Sequence, residues 1–242
     1  MEDISKNWPE KQKILVILAH PDDPEFFCGA TLARWAQSGH LIDYVLITCG
    51  DKGINEHAPH SAPDELCRLR YDEQRRAADV LGVQGIEFMD VEDGMVVPTL
   101  DLRRDISRKI RQYKPDVLVT CDPQYLFTPW GINHPDHRAA GQVVIDAAFP
   151  ASGNKHFFPE LLKEGLEPHS PKEIWVSLTG NPNLTIDVSE IFETKMEALR
   201  QHASQIGDYA KFRERMLGRT PINPETGKRK FEERFHVINW RG

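Results

Sequence analysis

The apolar positions of this chain fall first into short uninterrupted runs and then into helical spacing, and the two alternate. Ile14 to Ala19 is aliphatic and largely β-branched, the pattern of a strand buried on both faces. From Pro24 to Ser38, Phe26, Phe27, Ala30, Leu32 and Ala33 supply the apolar positions of a helix. A second strand is predicted over Leu41 to Thr48, then a highly charged helix over Ala62 to Leu81 that Gly82 stops, as glycines at helix C-termini do. Gly85 to Met89, Leu100 to Tyr113 and Asp116 to Thr120 continue as strand, helix and strand. Such alternation predicts a Rossmann-like α/β fold, with a mostly parallel sheet flanked by helices and joined by right-handed crossovers. The first strand-to-helix turn has no G-x-G-x-x-G spacing, so dinucleotide binding is not indicated.

Beyond a helix over Asp136 to Ala148 the pattern loosens. Phe149 to Pro171, rich in Pro, Phe, His and Gly, is expected to form an irregular wall around the site. Two strands follow at Glu173 to Leu178 and Leu184 to Val188, then a helix over Ser189 to Gln205 with Glu190 and Glu193 at its positive end. Helix from Gly207, a turn-rich stretch over 218–228 and a last strand over Lys230 to Val237 close the chain. With 242 residues, one large core suffices. The expectation is a single domain, with a core over about 13–150 and an irregular C-terminal extension over about 151–242.

Two stretches carry the candidate chemistry. Ala19-His20-Pro21-Asp22-Asp23-Pro24-Glu25 leaves the first strand, and its prolines keep His20 and Asp23 out of helical conformation. Imidazole and carboxylates are thereby crowded at the carboxyl edge of a parallel sheet, where sites are built. A divalent metal offsets the cost of burying them. An ordinary helix cap with proline at the first position is the plainer alternative. The second stretch is Asn133-His134-Pro135-Asp136-His137-Arg138. Pro135 suits a first helical turn, so His134 sits at the cap and His137 one turn on. Both histidines are candidate ligands, or one binds metal and the other handles protons and charge.

Together these two stretches resemble the signature of the PIG-L-like (LmbE-like) zinc-dependent de-N-acetylases, which act on N-acetylglucosamine-type substrates. Thr48-Cys49-Gly50-Asp51-Lys52-Gly53 is similar to the family's T-x-G-[DE]-x-G turn, and Arg70 with Glu73 to its R-x-x-E helix. Lys195, Ala198, His202, Ser204 and Gln205 resemble its K-x-x-A-x-x-x-H-x-S-Q helix, and Phe231 to Phe235 its closing strand. The resemblance implies that His20, Asp23 and His137 hold Zn2+, with Fe2+ or another divalent ion able to use the same donors. Asp22, beside a ligand in the chain, is then free to act as general base towards the metal's water. A protonated His134, oriented by Asp136, stabilises the oxyanion. Arg70 contacts the substrate or the oxyanion, or else pairs with Glu73 or Asp72. Asp51 holds a sugar hydroxyl, or else shapes its turn. Tyr125, Phe127 and Trp130 form an apolar wall for a sugar, or else pack, and His202 is structural. The implied substrate is a small N-acetylated sugar or conjugate, and homo-oligomers are implied as well. The alternatives are a non-catalytic zinc-binding module, which has no need of Asp22 and His134, and an amide hydrolase acting on a sugar-thiol conjugate or another acylated amine.

Charge and cysteine content narrow this further. A net charge of -7 and a pI of about 5.8 argue against a general nucleic-acid binder. The basic stretch Arg213 to Arg241 is interleaved with Glu214, Glu225, Glu232 and Glu233 and reads as a solvated face. Four cysteines without C-x-x-C spacing (Cys28, Cys49, Cys67, Cys121) are expected to be small reduced hydrophobes. The polar opening lacks a signal-peptide pattern and no apolar run approaches a membrane span, so a cytoplasmic protein without membrane partners is expected. The polar loop over 50–64 is a candidate lid.

Overall fold

In the computed structural model, which describes residues 4–53, 62–222, 224 and 226–239, the first strand lies in the middle of the sheet. The strands are β1 (Lys13–Leu18), β2 (Leu41–Thr48), β3 (Gly85–Val91), β4 (Val117–Cys121), β5 (Phe127–Thr128), β6 (Gly131–Ile132), β7 (Glu173–Ser177), β8 (Leu184–Asp187) and β9 (Glu232–Asn239). The α-helices are α1 (Asp23–Gln37), α2 (Pro63–Leu81), α3 (Leu100–Tyr113), α4 (Pro135–Asp146), α5 (Glu160–Lys163), α6 (Phe192–Arg200), α7 (Ala203–Ile206) and α8 (Tyr209–Gly218). Seven strands form one sheet in the order β3-β2-β1-β4-β7-β9-β8. β3, β2, β1, β4 and β7 are parallel, and β9 runs antiparallel to both β7 and β8. The sheet is thus mostly parallel and flanked by helices, as the alternating pattern predicts.

Both faces of β1 are covered, which is why its sequence does not alternate. Ile14, Val16 and Leu18 pack with Leu32 and Trp35 of α1 and Ala77 and Leu81 of α2. Leu15, Ile17 and Ala19 pack on the other side with Ile106 and Ile110 of α3 and Val143 and Val144 of α4. Burying the strand's five aliphatic side chains stabilises the fold by on the order of 10 kcal/mol. Trp175, Ala198 and Phe235 join the first of these clusters, so the C-terminal strands and helices complete the same core.

The chain winds outward from β1 through β2 to β3, then returns to β4 on the other side of β1. The carboxyl ends of β1 and β4 therefore flank a topological switch point, the crevice in which open α/β sheets bind ligands.

Four expectations need correction. The stretch 149–171 is no wall of that crevice. Arg111, in the last turn of α3, donates to the carbonyls of Ala151, Ser152, Asn154 and Phe157, and the His169 ring meets the carbonyl of Pro115 just before β4. The segment therefore packs at the amino ends of the strands, at the opposite pole. Composition marks it as irregular without saying where it lies. Secondly, the helix expected over 189–205 is split between α6 and α7, because His202 leaves helical geometry (φ -85°, ψ 52°) to meet a buried carboxylate. Thirdly, Cys49 and Cys67 form a disulfide with their Cα atoms 5.2 Å apart, while Cys28 and Cys121 are buried free thiols. The pair joins the end of β2 to the start of α2, a closeness that their separation in sequence conceals. Lastly, β5 and β6 form a small antiparallel hairpin that was not expected, each strand too short to show periodicity. Most of the candidate lid, 54–61, lies outside the described residues. Among the described residues, no helix is long and apolar enough to cross a membrane.

Candidate metal and catalytic site

The turn after β1 and the first turn of α4 meet at the switch point. His20 Nδ1 lies 3.2 Å from His137 Nε2 and 3.4 Å from Asp23 Oδ2, and His137 Nε2 lies 3.0 Å from Asp23 Oδ1. Three donor groups from the two stretches thus converge on one small volume. Each is tied from behind. The backbone N–H of His20 donates to Asp23 Oδ2 at 2.8 Å, and His137 Nδ1 faces Asn133 Oδ1 at 2.9 Å. The far nitrogen of His20, Nε2, faces Asp93 Oδ1 at 3.1 Å and Asp136 Oδ2 at 3.4 Å. Carboxylates behind an imidazole fix its ring orientation and make its opposite nitrogen a better ligand. His20, Asp93 and Asp136 also lie close enough to hold an ion themselves, as do His20, His134 and His137.

Charge balance in the cluster follows from burial and pairing. Burial works to lower the basicity of His20, but the carboxylates of Asp23, Asp136 and Asp93 outweigh it and raise its pKa well above the ordinary histidine value. Burial pushes Asp23 upward, yet the imidazoles of His137 and His20 prevail and hold its carboxyl far below the usual range. Its neighbour Asp22 goes the other way, raised by burial against the opposing pull of Arg70. The two adjacent carboxylates therefore differ sharply in proton affinity.

Asp22 occupies the N-cap of α1 in the left-handed conformation (φ 82°, ψ -25°) and makes no side-chain cap bond. For a residue other than glycine this costs about 1–3 kcal/mol. Its carboxylate lies 3.2 Å from Arg70 Nη2, a guanidinium that also donates to the carbonyls of Pro21 at 2.7 Å and Gly50 at 2.9 Å. Arg70 is 3% exposed, so it ties together the turns after β1 and β2 from inside the protein. The glycines of the T-x-G-D-x-G stretch follow from this placement. A Cβ on Gly50, at φ +71°, or on Gly53 would fall onto Arg70 Nη1. Glu73, one turn along α2, accepts from Ser204 N and Oγ at 2.8 and 2.6 Å, and Gln205 Nε2 donates to the carbonyl of Gly53 at 2.9 Å. The matched motifs on α2, on α7 and after β2 are thus parts of one interlock.

Other anticipated residues are placed differently. His134, exposed at the N-cap of α4, accepts from Asp136 N through Nδ1 at 3.2 Å, and its ring stands 4.7 Å from that of His20. Burial, and then the neighbouring imidazoles of His20 and His137, lower its pKa. The Asp136 carboxylate does not orient that ring. It accepts from Gly94 N at 2.7 Å and Val96 N at 3.3 Å and faces His20 instead. With these partners its pKa is lowered despite burial. Asp51 accepts from Asp93 N at 3.2 Å, which secures the turn that follows β3. Tyr125 packs over Gly180, whereas Phe127 and Trp130 on the β5–β6 hairpin are 73% and 66% exposed. Sequence reasoning missed Asp93 and Asn133. Asp93 stands beside a glycine in what reads as ordinary turn chemistry, and Asn133, the first residue of the second stretch, has no role assigned to it from sequence.

Comparison with known proteins bears on this geometry. Residues 15–148, which span β1 to α4 and hold every group of the cluster, match the family model described as GlcNAc-PI de-N-acetylase (PIG-L). The chain belongs to the PIG-L family. A PIG-L relative, the diacetylchitobiose deacetylase of Thermococcus kodakarensis, is 34% identical over 202 residues, covering 84% of this chain and 73% of the relative. A probable N-acetyl-alpha-D-glucosaminyl L-malate deacetylase 2 of Bacillus anthracis is 28% identical over 199 residues, 81% of this chain and 82% of its own. Among solved structures, the N,N'-diacetylchitobiose deacetylase of Pyrococcus horikoshii superposes with a TM-score of 0.85 at 27% identity. The match covers 98% of this chain and 88% of that one. The PIG-L fold expected from the motifs is thus the fold observed.

Proposed function

We propose that the protein is a zinc-dependent hydrolase that removes the acetyl group from an N-acetylglucosamine-type sugar, with a short chitooligosaccharide such as diacetylchitobiose as the substrate class. The observation that carries this reading is the convergence of His20 Nδ1, Asp23 and His137 Nε2 within 3.4 Å of one another, with Asp22 left over beside them. Two imidazoles and one carboxylate make a donor set that suits zinc in catalytic sites, where a fourth position stays open. When bound, the ion supplies Lewis-acid polarisation and the acidification of water.

The remaining roles belong to the chain. Asp22, with raised proton affinity and no duty to the helix cap, takes the proton from the attacking water. It returns that proton to the leaving amine as the C–N bond breaks, so that acetate and a free amine result. His134, exposed and 4.7 Å ring to ring from His20, donates to the oxygen that gains charge. Arg70 holds Asp22 in place. Asp93 and Asp136 orient His20, and Asn133 orients His137. The relatives named for diacetylchitobiose and for a glucosaminyl malate share the N-acetylglucosaminyl unit, which supports the class of substrate. A cytoplasmic location and a homo-oligomeric assembly belong to the same proposal, to be read from cell fractionation and light scattering.

The test is acetate release from diacetylchitobiose, N-acetylglucosamine and N-acetylglucosaminyl malate, before and after chelation and with zinc or ferrous ion restored. Asp22→Asn is expected to lower turnover by about 10^3-fold or more while keeping one ion per chain, and His20→Ala to lose the ion. Parental turnover by Asp22→Asn, or full zinc retention by His20→Ala, overturns the assignment.

A further inference from the structure

Asp22 opens α1 in a conformation that capping does not explain. An aspartate at an N-cap ordinarily adopts extended angles and turns its carboxylate back onto an amide of the first turn. Here the angles are left-handed and that bond is not made. Something other than the cap must hold the peptide.

Behind it runs a buried line of hydrogen bonds. The N–H of Asp22 donates to Gln74 Oε1 at 2.8 Å, and Gln74 Nε2 donates to Glu25 Oε1 at 3.0 Å. The other oxygen of Glu25, Oε2, faces His202 Nε2 at 3.2 Å. Gln74, Glu25 and His202 are each 0% exposed. His202 Nδ1 has no partner among the described residues, which places the ring's donor on Nε2, towards Glu25. The line has only one polarity. A backbone amide can only donate, so Gln74 must present its carbonyl to Asp22 and its amide to Glu25. Glu25 then accepts from both sides and its other partner must donate, as His202 does.

We infer that Gln74, Glu25 and His202 are positioning residues that hold Asp22 in its left-handed conformation and so keep its carboxylate off the helix cap and available to the reaction. The inference rests on the base role proposed above for Asp22. None of the three touches the convergence of His20, Asp23 and His137 through its own side chain. They act through the Asp22 peptide. His202 must leave helical geometry to reach Glu25, which accounts for the break between α6 and α7.

The polarity supplies the experiment. Gln74→Leu removes the line, and Gln74→Glu alone sets two carboxylates face to face. Glu25→Gln alone brings an amide against a donor. The double variant Gln74→Glu/Glu25→Gln restores every bond. Glu at 74 accepts from Asp22 and from Gln at 25, whose carbonyl accepts from His202, and the net charge is unchanged. Strain of the size held at Asp22 corresponds to a 10- to 100-fold shift in population, so each single variant is expected to lose about 10- to 100-fold in kcat. KM and zinc per chain should stay within about threefold of the parent, and the double variant should recover most of kcat. A crystal structure of Gln74→Leu is expected to show Asp22 at negative φ. Should Gln74→Leu not fold, the Glu/Gln exchange decides alone. Parental kcat in the single variants, no recovery in the double variant, or parallel loss of kcat, KM and zinc overturns the inference. Asp22→Asn run in parallel separates it from the base role. Parental turnover there removes the base itself, whereas an inactive Asp22→Asn beside an unimpaired Gln74→Leu removes only the positioning line.

Discussion

Lys195 and Glu233 form an ion pair inside the protein, with side chains 8% and 3% exposed and Nζ 2.7 Å from Oε1. They are wedged into α1. Lys195 Nζ donates to the carbonyl of Phe26 at 2.9 Å, while Glu233 accepts from Ala30 N at 3.0 Å and Thr31 N at 2.7 Å. Phe26 and Ala30 are the two ends of one rung of an ideal helix, so the pair spans a rung in the helix that Asp22 and Asp23 begin. Lys195→Met keeps the unbranched apolar stem of the side chain, one atom shorter, and removes the charge. Glu233 is then buried beside two amides with no cation, a loss of about 3–5 kcal/mol. With a urea m-value of about 3 kcal/mol/M, the unfolding midpoint should fall by about 1–1.7 M, followed by circular dichroism and tryptophan fluorescence. In Lys195→Met/Glu233→Met both charges go, and the amides of Ala30 and Thr31 can close on the helix's own carbonyls. That variant should lose no more than about 2 kcal/mol, a coupling that a double-mutant cycle measures directly. A midpoint for Lys195→Met within about 0.3 M of the parent, or a double variant less stable than either single one, refutes the reasoning.

Two further outcomes are expected. Arg111→Lys, which cannot span the carbonyls of Ala151, Ser152, Asn154 and Phe157, should cost about 2–4 kcal/mol in the same urea assay and leave kcat unchanged, because the residue lies at the opposite pole from the site. Denatured but unreduced protein should titrate two thiols, from Cys28 and Cys121, and four after reduction. Four thiols without reductant would show that Cys49 and Cys67 are unpaired.

What could be read beforehand was whatever is written in consecutive residues. The β1 run, the proline that holds His20 out of helix, and Pro135 with His137 one turn on all declare themselves locally, because steric rules act between neighbours in the chain. Asp23, by contrast, opens α1 although Pro24 follows it and is expected to keep it out of helix. The family motifs supplied the pairing of the two stretches, and the structure brings them within hydrogen-bonding distance. Partnerships made only where elements cross were hidden. Nothing near Asp93 says that its carboxylate backs His20, and nothing near Gln74 says that it holds the peptide of Asp22. His202 reads as structural from sequence, and its neighbours do not announce the carboxylate it reaches on α1. The reversal of expectation for 149–171 has the same root, since proline and glycine content reports irregularity and not position.

Arg70 occupies the space that side chains at positions 50 and 53 would need. Those three positions are therefore not independent variables for anyone who redesigns this enzyme's mouth. A larger residue at either glycine displaces the guanidinium, and a smaller residue at 70 opens a polar void facing the carbonyls of Pro21 and Gly50. Loop libraries built over this turn should hold the glycines, the arginine and Asp51, which secures the turn of Asp93, as a single unit, and take their diversity from position 52.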